Sequence, residues 1–136
     1  MPRRRVREAA LRVLFQADVG RSSIEEALED ELKRGRLSES DVAFLEKLVL
    51  GLRDHIKEAD ERIARLAIGW TLDRMGAVDR NILRLAVYEL LYLRGEIPVG
   101  VAINEAVELA KKYGDEKSGS FINGILASVA RESLQT

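Results

Sequence analysis

Apolar positions recur at helical spacing along most of this chain, and one stretch, Val78 to Leu93, is apolar almost all the way round. At about 100° per residue, Ile82, Leu83, Leu85, Ala86, Val87, Tyr88, Leu90, Leu91, Tyr92 and Leu93 cover nearly every direction about a helical axis. Only a narrow polar strip is left, marked by Asp79, Arg80, Arg84 and Glu89. A helix of this kind sits at the centre of a bundle or in a membrane. Spanning a bilayer takes roughly 20 apolar residues with few charges. This stretch is shorter and carries charges inside it, so it is predicted to be the core helix of a soluble bundle.

The remaining pattern supplies the helices that wrap it. The first is predicted from Arg3 to Val19, ending at Gly20. Val6, Ala9, Ala10, Val13 and Ala17 form one face, while Leu11, Leu14 and Phe15 spread onto another. Burial on two sides is expected, with the arginine-rich start projecting free. Ser22 or Ser23 caps a second helix whose inner face is Ile24, Ala27, Leu28 and Leu32, and Gly35 stops it. Ser40 is read as the cap of a third, which keeps its spacing from Val42 to Ala67, about 25 residues. Gly51 inside it costs about 1 kcal/mol against alanine, so a close helix–helix approach is expected there.

Gly69 and Trp70 mark a break, and Thr71 to Met75 suits one short turn of helix before Gly76. After the core helix, Arg94 to Pro98 is a loop, because a residue preceding proline disfavours α geometry. The next helix begins near Val99 or Val101 and ends at Gly114. Ser118 is read as the cap of the last, whose inner face is Phe121, Ile122, Ile125, Leu126, Val129 and Ala130, with a frayed end from Glu132 to Thr136. Strand alternation is absent, and Pro2 and Pro98 both lie outside the helical runs. The prediction is all-α, about seven helices in two small packed bundles. Residues 1–136 are read as a single domain, with an N-terminal half of about 1–69 and a C-terminal half of about 70–136.

Composition narrows the function. A net charge of −1 announces no global basic field, but charge is uneven. Residues 1–21 carry a local +4 from six arginines, and residues 22–35 a local −3. A nearly neutral chain with a basic end fits a localised anion site. The absence of cysteine excludes disulfides, thiolate metal sites and thiol catalysis, and one histidine cannot build a His-rich metal cluster. No metal or other cofactor is expected. No secretory apolar run follows the first arginines, so the cytoplasm is the expected compartment, with no membrane partner.

Catalysis finds little support. Phosphate-binding glycine loops are missing, and His55 is read as an ordinary, partly exposed helix residue before it is read as a base. Glu89, on the most apolar helix, needs a partner, either Arg84 or a neighbouring helix, if it is not a catalytic acid. Trp70 and Tyr88 are read as core or hinge aromatics. Binding is better served. Arg3, Arg4 and Arg5 fan around a helix start where the dipole and their mutual repulsion are unfavourable. Phosphate would relieve both costs, and arginine also offers bidentate hydrogen bonds and a planar stacking face; the alternative is a solvated terminus. The segment Gly114 to Phe121 combines a helix start, Lys117, hydroxyls and an aromatic, which suits single-stranded RNA; the alternative is a capped helix with Phe121 in the core. Asp79 and Arg80, with Arg74, form either a docking strip for another protein or a solvated one.

These blocks together resemble the NusB family of bacterial transcription antitermination factors. The resemblance spans essentially the whole chain. It is carried by Arg3-Arg4-Arg5-Val6-Arg7-Glu8-Ala9-Ala10, by Val78 to Leu90, by Pro98, by Ile103 to Lys111 and by Ser118-Gly119-Ser120-Phe121-Ile122-Asn123-Gly124. It implies two small helical bundles and no catalysis. The implied ligand is single-stranded RNA carrying the boxA element of nascent transcripts, including leaders of ribosomal RNA operons. The implied partners are the small-subunit ribosomal protein that acts as NusE, other Nus factors and RNA polymerase. Carried over position by position, Arg3, Arg4, Arg5, Arg7, Lys117, Ser118 and Phe121 would contact RNA, and Asp79, Arg80 and Arg74 would lie near the protein partner. After Pro98 this chain has Val99-Gly100 where some relatives have a basic or aromatic pair, which withdraws support for an RNA contact there. Two other readings remain. A similar helical domain begins some ribosomal RNA cytosine methyltransferases, but the chain has no α/β catalytic domain and no cysteine nucleophile. An adaptor with an incidental basic end is the other. Leu11 and Phe15, opposite the alanine-rich face, also suggest a homodimer covering the first helix.

Overall fold

The computed structural model describes residues 3–134. Six α-helices follow in order: α1 (Arg4–Val19), α2 (Ile24–Lys33), α3 (Glu39–Leu66), α4 (Ala77–Tyr92), α5 (Val99–Tyr113) and α6 (Ser118–Leu134). The seventh expected element is a single 3-10 turn, Leu72–Arg74, between α3 and α4. Helices α1 to α3 form one small bundle and α4 to α6 another, with α4 packed against α1, α3, α5 and α6. Buried side chains from both bundles join in one continuous core. Among the described residues no helix is long and apolar enough to cross a membrane.

Local chemistry explains most boundaries. Ser23 and Glu26 form a reciprocal capping box at α2, and Gly35, at φ +63°, ends it in a conformation that favours glycine. Two cap expectations are corrected. Ser38 rather than Ser40 opens α3, its hydroxyl accepting from the Asp41 N–H at 3.2 Å. Asp115 rather than Ser118 serves the start of α6, its carboxylate accepting from the Lys117 N–H at 2.8 Å. In both places several polar residues compete, and the backbone path chooses between them. The end of the chain is corrected too, since Glu132 is helical and accepts from Arg65 at 2.7 Å. Pro2, Gln135 and Thr136 lie outside the described residues.

The close approach expected at Gly51 is with Tyr88. A Cβ there would overlap the Oη and Cζ of the phenol, which is held in a stack with Tyr92 at 5.4 Å. One turn later, at His55, the backbone leaves helical geometry (φ −127°, ψ 15°) and α3 bends. Gly51→Ala is expected to destabilise the fold by about 1–2 kcal/mol, because overpacking outweighs the better helix propensity. Urea unfolding checks this; a more stable variant would mean that Tyr88 swings aside freely.

Candidate nucleic-acid interface

The arginines at the start of α1 are not one free cluster. Arg3 occupies the N-cap in the left-handed region (φ 53°), strained for a residue other than glycine, and offers no side-chain cap. Its guanidinium lies 4.4 Å from the ring centroid of Phe44 on α3. Arg4 donates from Nε and Nη2 to Glu105 on α5, at 3.1 and 2.9 Å, while keeping about half its side chain exposed. Arg5 is exposed and makes no ion pair among the described residues. Arg7 departs from expectation: its side chain is 3 % exposed and donates to Glu89 of α4, at 2.6 Å from Nη2. Arg7 is held in a buried ion pair across α1 and α4.

This arrangement answers two costs at once. Glu89 and Glu105 are buried carboxylates on apolar helix faces, and each needs a cation. The first turn of α1 brings arginines against an unfavourable dipole and needs anions. Helices α4 and α5 therefore neutralise what α1 presents. Arg12 does the same for the buried Glu31 of α2, at 2.9 Å. Arg4, Arg7 and Arg12 are thus matched by acids, and the local +4 of the sequence is much reduced in space. Burial is the leading influence on Glu89 and pushes its carboxyl above the ordinary range, with the Arg7 hydrogen bond and charge opposing.

The second candidate region is a groove between the α3–α4 connection and the start of α6. Trp70, Arg74, Asp79, Lys117, Ser118 and Phe121 line it, with a volume of about 640 Å³. The ring of Phe121, half-buried, meets Trp70 edge-on at 6.3 Å and 69°. Lys117 is exposed and unpaired among the described residues. Ser118 lies on the floor, 2 % exposed, and its hydroxyl accepts from the Asp115 N–H at 3.0 Å. It shapes the loop, its hydroxyl bonded to Asp115. Asp79 is half-buried beside it; burial raises its carboxyl above the ordinary range, a hydrogen bond with Ser118 opposes, and the charge of Asp115 adds.

The residues expected to face a protein partner divide. Arg74 and Asp79 share this groove with Lys117 and Phe121. Arg80 lies at the start of α4, its side chain 13 % exposed and turned inward. It donates to Asp18 at 2.8 Å and to the carbonyls of Leu72 and Met75 at 2.8 and 3.1 Å. Of the two readings of Trp70, core or hinge, its place in the α3–α4 connection leaves the hinge. Gly69, at φ +83°, turns the chain, and the indole stands 52 % exposed rather than in the core. Tyr88 is a core residue as expected, and Leu11 is buried within the chain, leaving only Phe15 of the suggested dimer pair exposed.

Helix α5 links the two regions. Arg3 shares a hollow with Pro98 and Val101 at its start, Arg4 reaches Glu105 at its middle, and the groove lies past its C-terminal end, with Glu105 and Tyr113 about 12 Å apart along the axis. Lys111 and Lys112 lie between them, exposed, with Lys112 paired to Glu8 at 2.6 Å. Sequence reasoning did not single out these lysines; their signal was two adjacent cations in the last turn of a helix.

A sequence model of the NusB family matches residues 4–131. The transcription antitermination protein NusB of Anaeromyxobacter dehalogenans is 50 % identical over 129 residues, covering 94 % of this chain and 89 % of that protein. The solved structure of T. maritima NusB superposes with a TM-score of 0.90 at 41 % identity, covering 97 % of this chain and 92 % of that one. A crystal structure of the antitermination factors NusB and NusE in complex with double-stranded RNA gives 0.87 at 32 % identity, covering 96 % of this chain and 97 % of that one. Family match, identity and backbone agree over nearly the whole length, and the chain belongs to the NusB family.

Proposed function

We propose that this chain is a non-enzymatic transcription antitermination factor of the cytoplasm. It binds the boxA element of nascent RNA, including leaders of ribosomal RNA operons, as a single functional unit spanning both bundles. The small-subunit ribosomal protein that acts as NusE completes the site, and other Nus factors and RNA polymerase complete the assembly. The observation that carries this reading is that Arg3 lies by the start of α5 and Arg4 at its middle, with Lys117 and Phe121 beyond its end and the exposed Lys111 and Lys112 between. The family neighbour solved with NusE and double-stranded RNA supports it. Cations along the track hold phosphates, which gives affinity, and an aromatic at its end meets a base. Arg74 and Asp79 are proposed to border the protein partner.

Arg5 and Lys117 are the cleanest tests, because neither anchors a buried acid. Arg4→Ala would strand Glu105, whose side chain is 2 % exposed, and so mix folding with binding. The double variant Arg5→Ala, Lys117→Ala is expected to bind single-stranded boxA RNA roughly an order of magnitude more weakly and to flatten the log–log salt slope by about 1.4. Fluorescence anisotropy with boxA, scrambled and duplex RNA, with and without the ribosomal protein, checks this. Equal binding to all three RNAs would reduce the protein to a basic helical adaptor.

A further inference from the structure

We infer that Trp70 is a nucleobase-stacking residue, which forms with Phe121 an aromatic subsite for one unstacked base of the bound RNA. The inference rests on the RNA-binding reading above. Three observations carry it. First, the indole is placed by its backbone for exposure: Gly69 at φ +83° turns the chain, and the Trp70 N–H closes the turn on the Ala67 carbonyl at 3.0 Å. A large aromatic held half in water forgoes burial that a core position would give it. Second, Phe121 approaches at 69°, edge to face, rather than in a parallel stack. That contact props the indole without covering it by a second parallel ring, so a flat partner can still lie on it. Third, the rim carries cations, Lys117 and Arg74, and the floor is polar, with Asp79 and Ser118. Apolar surface from Trp70, Met75 and Phe121 thus lies directly beside cations, and a nucleotide matches both by presenting a flat ring and a phosphate together. Stacking of this kind tolerates any base, because every base has a π-face.

Trp70 is the single tryptophan of the chain, so its emission reports on the subsite alone. A short single-stranded boxA RNA is titrated while anisotropy of the labelled RNA and tryptophan emission are read in parallel. The expected result is quenching that follows the anisotropy curve and disappears when one particular nucleotide is made abasic. Trp70→Ala is expected to weaken binding roughly 10- to 100-fold, and Trp70→Phe, which keeps a ring, much less. Because the side chain is half-exposed, both variants are expected to keep the wild-type circular dichroism spectrum. Normal RNA binding with unchanged emission, and wild-type affinity in Trp70→Ala, would overturn the subsite and leave the antitermination reading standing. Absence of RNA binding by anisotropy would overturn both. Quenching by the ribosomal protein alone, with none from RNA, would make the groove a protein-docking surface and overturn the inference.

Discussion

Glu89→Leu is expected to lower the unfolding free energy by about 3–5 kcal/mol, the largest loss of any single substitution considered, although it replaces a charged residue by an apolar one on an apolar helix. The reason is what it leaves behind. The Arg7 guanidinium, buried between α1 and α4, cannot give up its proton and would lose the carboxylate that accepts from its Nε and Nη2. The reverse change, Arg7→Met, is expected to cost less, because the abandoned carboxyl can neutralise itself by taking up a proton. The double variant Arg7→Met, Glu89→Leu should recover most of the stability, since a well-packed apolar pair often matches a buried ion pair. Urea unfolding of the four proteins measures this as a double-mutant cycle. In Arg7→Met the sign of the pH dependence is also set. The folded-state pKa of Glu89, already raised by burial, rises further, so the variant should be most stable below the unfolded pKa, about 4.3, and lose stability as pH rises through the folded value. Additive losses in the cycle would show that the two residues act separately. The pair matters for function because it pins the first turn of α1 and so places Arg3, Arg4 and Arg5.

Asp18→Ala is expected to cost about 2–3 kcal/mol and to disturb the groove from a distance. Asp18, near the end of α1, accepts from Arg80 at 2.8 Å, Asn81 at 3.0 Å and Arg84 at 3.3 Å. Arg84 reaches on to Asp60 of α3 at 2.7 Å, so one carboxylate ties α1, α3 and α4 together. Arg80 also holds the Leu72 and Met75 carbonyls, and with them the 3-10 turn that carries Arg74 and follows Trp70. Without Asp18 the guanidinium loses its anchor, and the turn loosens. A changed Trp70 emission in the folded variant is the expected signature, alongside the shift in urea midpoint. Wild-type emission would mean that the turn is held without Asp18. Burial alone would raise the Asp18 carboxyl, but the hydrogen bonds from Arg80 and Asn81 and the arginine charges outweigh it and hold it below the ordinary range. Its contribution is therefore present above the unfolded pKa and lost as pH falls through the lower folded value. The difference between wild type and Asp18→Ala should shrink below about pH 4.

The helices are legible in the sequence because they are decided locally. Periodicity, capping and glycine stops act within about four residues, so α1, α2, α4 and α5 fall close to where the pattern puts them. Gly51 was readable as a close approach for the same reason: a glycine inside a long helix costs stability and needs a neighbour to justify it. Caps failed only where polar residues competed, at Ser38 against Ser40 and at Asp115 against Ser118. The charges were legible as a cluster but not as an arrangement. Arg7 finds Glu89 across 82 positions and Arg4 finds Glu105 across 101, and nothing in a local window selects such partners. The same limit hid the inward turn of Arg80, the burial of Ser118 and the exposure of Trp70. Sequence by itself determined that basic residues and aromatics were available at both ends of the molecule. Tertiary structure decided which of them remain open to a ligand, because the cost of burying a charge is met by whichever opposite charge packing brings within reach.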